Sequence, residues 1–134
     1  MRHQGSELPL KLDGLAVARA FFAGCFAESD SARERLSVAH LDRHSNCLRL
    51  THHDGGSAGT DFPLHSIIAD AALHGSAGLV LAHNHPSGDP TPSQADKRAT
   101  IRLACAAEAL DCALVDHLVF GGGGCTSFRQ LGLL

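Results

Sequence analysis

The sequence has no Cys-x-x-Cys pair, no apolar run approaching the roughly 20 residues that span a bilayer, and no excess of positive charge. Each absence removes a class of protein. Without Cys-x-x-Cys there is neither a structural zinc knuckle nor a dithiol redox motif. Cys25, Cys47, Cys105, Cys112 and Cys125 are odd in number and scattered among apolar neighbours, so reduced, buried thiols are expected. A net charge of -3 and a pI near 6.3 argue against a strongly basic nucleic-acid surface. The opening residues, Met1 to Glu7, lack the charged-then-apolar order of a signal peptide, and a cytoplasmic location is expected. Internal repeats, linkers and low-complexity tracts are absent, as is the zincin pattern His-Glu-x-x-His.

What remains is an ordinary globular balance, 44% hydrophobic and 19% charged over 134 residues, enough for one domain. Residues 1–30 read as an N-terminal segment, loose to about Lys11, followed by a helix over Leu12 to Ala27 packed on the core. From residue 31 onward strands and helices interleave. Glu34 to Asp42 suits a buried strand, and Cys47 to Thr51 can pair back on it as a hairpin. The segment from His52 through Gly59 is a loop by composition, which leaves His52 and His53 facing solvent. Leu64 to Leu73 reads as a helix ending near Gly75, and Ala77 to His83 as a central strand. Thr91, Pro92 and Gln94 predict a helix start with Thr91 as N-cap and proline just inside, the helix running to about Leu110. Cys112 to Phe120 and Thr126 to Phe128 close the sheet around a glycine turn. The expected fold is α/β (α+β), a mixed β-sheet flanked by helices on both faces.

Ten histidines are a surplus for this length, so only those with informative spacing count. His83 and His85 are two apart at the end of the central strand and can point to one spot. Two neutral imidazoles there, with the carboxylate of Asp96 from the next helix, make a three-ligand zinc site that leaves a fourth position for water. Ser93-x-x-Asp96 is equally the pattern of a capping box, which needs no metal. With the helix starting at Thr91, Ser93 and Asp96 instead fall inside it, three apart on one face.

The spacing His-x-His, seven residues, Ser, two residues, Asp resembles the metal-binding signature of the JAMM (JAB1/MPN-type) metalloprotease superfamily, matched at His83, His85, Ser93 and Asp96. The run HNHPSGDPTPS is similar almost letter for letter to the RadC family, as are VDHLVF and SFRQLGLL toward the C-terminus. The likeness extends from about Glu34 to Leu134, so residues 31–134 are identified as a RadC-like JAB/MPN domain, with the helix-and-sheet layering that cytidine deaminases share. The resemblance implies one zinc ion per chain, Glu34 as general base, Ser93 as stabiliser of the oxyanion, and hydrolysis of a peptide or isopeptide bond. Asp116 and His117 are candidates to orient a ligand from behind. Two departures stand out. The helix-hairpin-helix region of RadC proteins has no counterpart in the sequence, and the family's Pro-Arg pair is replaced by Leu64 and His65.

Rival readings separate on residues. A nucleobase deaminase needs His-x-Glu and Pro-Cys-x-x-Cys, neither of which is present. A non-catalytic MPN-type scaffold would share the ligands, and a DNA-associated accessory protein, as the family name suggests, would need a basic surface. The expected partner is a peptide or protein substrate. Nucleic acid and membrane are not expected, and a site at the sheet edge is open to an extended peptide or a second copy of the chain.

Overall fold

The computed structural model describes residues 10–28, 32–54 and 62–134. The loose opening segment, the break at Ser29 to Ser31 and the glycine-rich stretch over 55–61 therefore lie outside the described residues, apart from the last residues of that opening segment. Along the chain the elements are α1 (Leu15–Ala27), β1 (Arg35–Leu41), β2 (Cys47–Asp54), α2 (Leu64–His74), β3 (Gly78–Asn84), α3 (Gln94–Glu108), β4 (Ala113–Gly121) and β5 (Gly124–Ser127).

The sheet runs β2-β1-β3-β4-β5. Every residue of β3 is buried, as a run of Leu, Val, Leu and Ala requires of a strand covered on both faces. It pairs antiparallel with β1 and parallel with β4, and α3 supplies the crossover that a parallel pair needs. Period-two alternation splits the core in two. Leu36, Val38, Leu79 and Leu81 face α2 and α3, meeting Ile67, Ala71, Leu103 and Ala107. Ala39, Leu41, Val80, Ala82 and Leu118 face α1, meeting Ala18 and Phe22. Each large side chain so buried contributes about 1.5–3 kcal/mol of transfer free energy. The result is a mixed sheet with helices on both faces, as expected from the pattern.

Several boundaries differ from the sequence reading. The first helix starts at Leu15, because Gly14 takes φ 154° and Leu12 instead hydrogen-bonds Ser45 through its amide, 2.9 Å. Strand β2 continues to Asp54, so His52 and His53 are strand residues and not loop residues. Pairing with β1 overrides the turn-like composition: His52 Nδ1 meets Ser37 Oγ at 2.8 Å, and His53 Nε2 meets Thr51 Oγ1 at 3.2 Å.

The start of α3 is a further correction. The N-cap is Ser93 and not Thr91, and the capping box is Ser93 with Asp96. Proline disfavours helical backbone at the residue before it, and the Asp89 carboxylate takes the Thr91 amide at 3.0 Å, so Thr91 belongs to the loop. Ser93 Oγ accepts from the Asp96 amide at 3.0 Å while Asp96 Oδ2 accepts from the Ser93 amide at 2.8 Å.

Candidate metal centre

The C-terminal end of β3 is where a parallel strand hands over to its crossover, the usual position of sites in such sheets. Residues alternate there. His83 falls on the α3 side and Asn84 on the other, and His85 leads into the loop that carries the chain to Ser93. His85 keeps one more ladder bond, its amide donating to Phe120 O at 2.7 Å, so the turn begins from fixed backbone.

Three ligand atoms converge from these elements. His83 Nε2 and His85 Nε2 are 3.0 Å apart, and Asp96 Oδ2 lies 3.1 Å from His85 Nε2 and 3.5 Å from His83 Nε2. His83 is buried, and His85 and Asp96 are half-buried. Ligands at 2.0–2.1 Å around a tetrahedral zinc would be about 3.3 Å from one another. The three separations bracket that value.

The surrounding hydrogen bonds decide which nitrogens carry protons. Thr100 Oγ1 donates to the carbonyl of Asp96 at 2.7 Å, which uses its one proton. The same oxygen lies 2.7 Å from His117 Nδ1 and must accept there, so His117 is protonated at Nδ1. His117 Nε2 is then a lone pair, and it accepts from His83 Nδ1 at 2.8 Å. That leaves His83 Nε2 bare. His85 reaches the same state by another route, its Nδ1 donating to Asp89 O at 2.8 Å. Two bare nitrogens and a carboxylate oxygen thus face one another. Only a shared cation, a metal ion or a proton on one imidazole, makes that arrangement favourable.

Electrostatics agree. Burial first, and then the charge that His83 carries when a proton and not a metal ion fills the trio, push His117 well below the ordinary histidine value, so the relay ring stays neutral. Burial opposes ionisation of Asp96, but when a proton sits on His83 the hydrogen bond and charge of that ring, with the hydrogen bonds of Ser93, outweigh it and hold the carboxyl below the usual range.

The remaining sequence candidates fall in different places. Ser93 is at the helix start with its hydroxyl exposed, and its oxygen already accepts from the Asp96 amide. Glu34 is half-buried, one residue before β1. Leu36 pairs with His83, so continued alternation puts Glu34 level with His85 on the metal side of the sheet. His117 backs His83 and stacks on Phe128, with centroids 4.7 Å apart and planes at 13°. Asp116 does not join it. Strand alternation sends that carboxylate to the α1 side, where it takes the Ser127 hydroxyl at 2.6 Å and the amides of His117 and Arg129. It ties the end of β5 and the turn after it to β4 instead of orienting a ligand. His65, at the place of the family arginine, is exposed.

Four contributors escaped the sequence reading. Thr100 is four residues after Asp96, one turn on along the same helix face, and that spacing could have flagged it. Asn84 bridges to β1, and no pattern announces this. Gly121 and Gly122 pack under the metal loop: a Cβ on either would come within 2.9 Å of the Gly88 carbonyl carbon or 2.7 Å of its oxygen. The hairpin turn at 122–123 already accounts for glycine there, so close approach gives no separate signal.

Comparison with known proteins places this architecture. The family model described as RadC-like JAB domain matches residues 16–133. The chain is 36% identical over 122 residues to UPF0758 protein YfjY of Escherichia coli, covering 81% of this chain and 76% of that protein. It is 36% identical over 134 residues to a UPF0758 protein of Pelodictyon phaeoclathratiforme, covering 98% of this chain and 59% of that one. With UPF0758 protein STH371 of Symbiobacterium thermophilum the identity is 48% over 68 residues, 51% of this chain and 29% of the relative. The chain therefore spans less than two thirds of the last two relatives' length.

Proposed function

The chain belongs to the RadC-like JAB domain family, and on that footing we propose that it is a zinc-dependent metallopeptidase of JAMM type. The observation that carries this reading is the convergence of two Nε2 atoms, whose ring partners take up both Nδ1 protons, and one carboxylate oxygen at tetrahedral-ligand spacing. His83, His85 and Asp96 would hold the ion. When bound, zinc supplies Lewis acidity that makes water a nucleophile near neutral pH.

The chain's own residues do the rest. Glu34, level with His85 on the metal side, takes the proton of the attacking water and returns it to the leaving amine of a peptide or isopeptide bond. Ser93 still has its hydroxyl proton to give, because its oxygen accepts from the Asp96 amide and donates to nothing described. That proton is available to the oxyanion formed at the scissile carbonyl. His117 and Thr100 keep His83 Nε2 directed at the ion. The loop from Pro86 to Pro90 fixes His85 through Asp89 O.

The test is a screen of peptide and isopeptide substrates with the zinc-loaded wild type and Glu34→Gln. Glu34→Gln is expected to keep its zinc and lose turnover by about 10²–10⁴-fold. Hydrolysis that persists in Glu34→Gln would remove Glu34 from the base role. A zinc-loaded wild type silent on every substrate would favour the scaffold reading.

A further inference from the structure

We propose that Asn84, the residue between the two histidine ligands, is the positioning residue for Glu34; this rests on the function proposed above. The β1–β3 ladder ends at Leu36 and His83. Beyond that point β1 has no ladder partner on its β3 edge, while Arg35 still pairs with Asp54 of β2 on the other. The side chain of Asn84 takes over. Its Oδ1 accepts from the Arg35 amide at 2.8 Å, and its Nδ2 donates to the Arg33 carbonyl at 2.9 Å. These two bonds bracket Glu34 from either side, as a neighbouring strand would.

The chemistry admits few substitutes. The bracket needs one acceptor and one donor on a short planar fork, and asparagine alone offers both at this length. Aspartate keeps the acceptor but would set a negative oxygen against the Arg33 carbonyl. Alanine removes both bonds. Asn84 is 8% exposed, so its amide must find partners inside the protein, and it spends them on the segment carrying Glu34. The three consecutive residues from His83 to His85, where β3 gives way to the loop, thus supply the two proposed histidine ligands and, between them, the clamp on the proposed base. A shift of about 1 Å in a reacting group can cost roughly 100-fold in rate, which is the reason to clamp it.

The test uses the full chain in two forms. In the metal-free form, amide hydrogen exchange at Arg35 is compared between wild type, Asn84→Ala and Asn84→Asp, with Ala39 as the core reference. Loss of the bond to Oδ1 is expected to speed Arg35 exchange about tenfold in Asn84→Ala while Ala39 is unchanged. In the cobalt(II)-substituted form, the visible absorption bands report the metal's surroundings. Glu34→Gln is expected to alter them, Asn84→Ala to reproduce that change with cobalt still stoichiometric, and the double variant to add nothing further. Asn84→Asp keeps the shape of the side chain and guards against a variant that fails to fold. Unchanged bands in both Asn84 variants, with altered bands in Glu34→Gln, would overturn this inference and leave the base reading standing. Unchanged bands in Glu34→Gln would overturn both. Wild-type exchange at Arg35 in Asn84→Ala would also overturn the clamp.

Discussion

His117 Nε2 lies 2.8 Å from His83 Nδ1, and this one contact decides which nitrogen of His83 faces Asp96. The pair is itself set by Thr100, whose proton goes to the Asp96 carbonyl. Helix α3 therefore delivers both a candidate ligand and the hydroxyl that fixes the tautomer of another.

Breaking that relay is expected to weaken the metal without removing any ligand. Thr100→Val keeps the shape of the side chain but gives His117 Nδ1 no acceptor. Zinc affinity, measured by competition with a chromogenic chelator, is expected to fall by about 10–100-fold. His117→Phe should fall in the same range, and the two changes together by little more than the larger. Wild-type affinity in Thr100→Val would mean that the relay does not orient His83.

Asp96 caps a helix as well as facing two histidines, so its removal acts even without metal. In the metal-free chain Asp96→Ala is expected to lose about 1 kcal/mol in urea unfolding, the worth of half a capping box. Ser93→Ala should cost a similar amount. The two differ in zinc content, which emission spectroscopy reads: Ser93→Ala keeps stoichiometric zinc and Asp96→Ala does not. Equal stoichiometric zinc in both would rule Asp96 out as a ligand.

The glycine hairpin is expected to be intolerant at one position and forgiving at another. Gly121→Ala drives a methyl into Gly88 backbone, 2.9 Å away, beneath the loop that orients His85. It should cost about 1–3 kcal/mol and weaken zinc binding. Gly123→Ala meets nothing within 4 Å but sits at φ 83°, so only backbone strain of about 1 kcal/mol is expected, with zinc affinity kept. Denaturation midpoints and chelator competition separate the two.

Stability should decline in mild acid through His40. That ring is fully buried between β1 and α2, with Nδ1 bonded to Ser76 at 2.9 Å and Nε2 without a partner among the described residues. Burial, opposed by the charge of Asp70 and helped by His74, Arg49 and His53, lowers its proton affinity in the folded state. A folded value below the unfolded one means that the unfolded chain takes up a proton which the folded chain refuses. The contribution is complete above the ordinary histidine value of about 6.5 and is lost as pH falls below it toward the folded value. Between those two values the loss has a limiting slope of about 1.4 kcal/mol per pH unit. Urea unfolding of metal-free protein from pH 7.5 to 5 checks this. In His40→Phe the slope over that range should shrink, and an unchanged slope would clear His40.

The candidate metal site was legible because its signals are local. His83 and His85 are two apart on a strand, and Asp96 sits at a helix start, so element type alone places them. The capping box was read at the wrong residue, because Pro92 within a helix and Pro92 before one leave similar patterns. The alternatives of cap or ligand for Asp96 turned out not to exclude each other: one oxygen serves both Ser93 and the histidines. His52 and His53 were misplaced because a glycine-rich neighbourhood spoke for a loop, while pairing with β1 drew them into the sheet.

By itself the sequence determined the helix-and-strand order, the two-faced burial of the central strand and the residues able to bind a metal, since these follow from periodicity and from spacing along one chain. Tertiary structure decided which proton sits on which ring nitrogen, which side Asp116 faces, and that Asn84 reaches back to bracket Glu34. Those depend on contacts between positions such as 84 and 33, or 83 and 117, separated by 51 and 34 residues. Hydrogen-bond partners so distant in sequence leave no periodic trace, because neither residue type nor spacing encodes which strand register will bring them together.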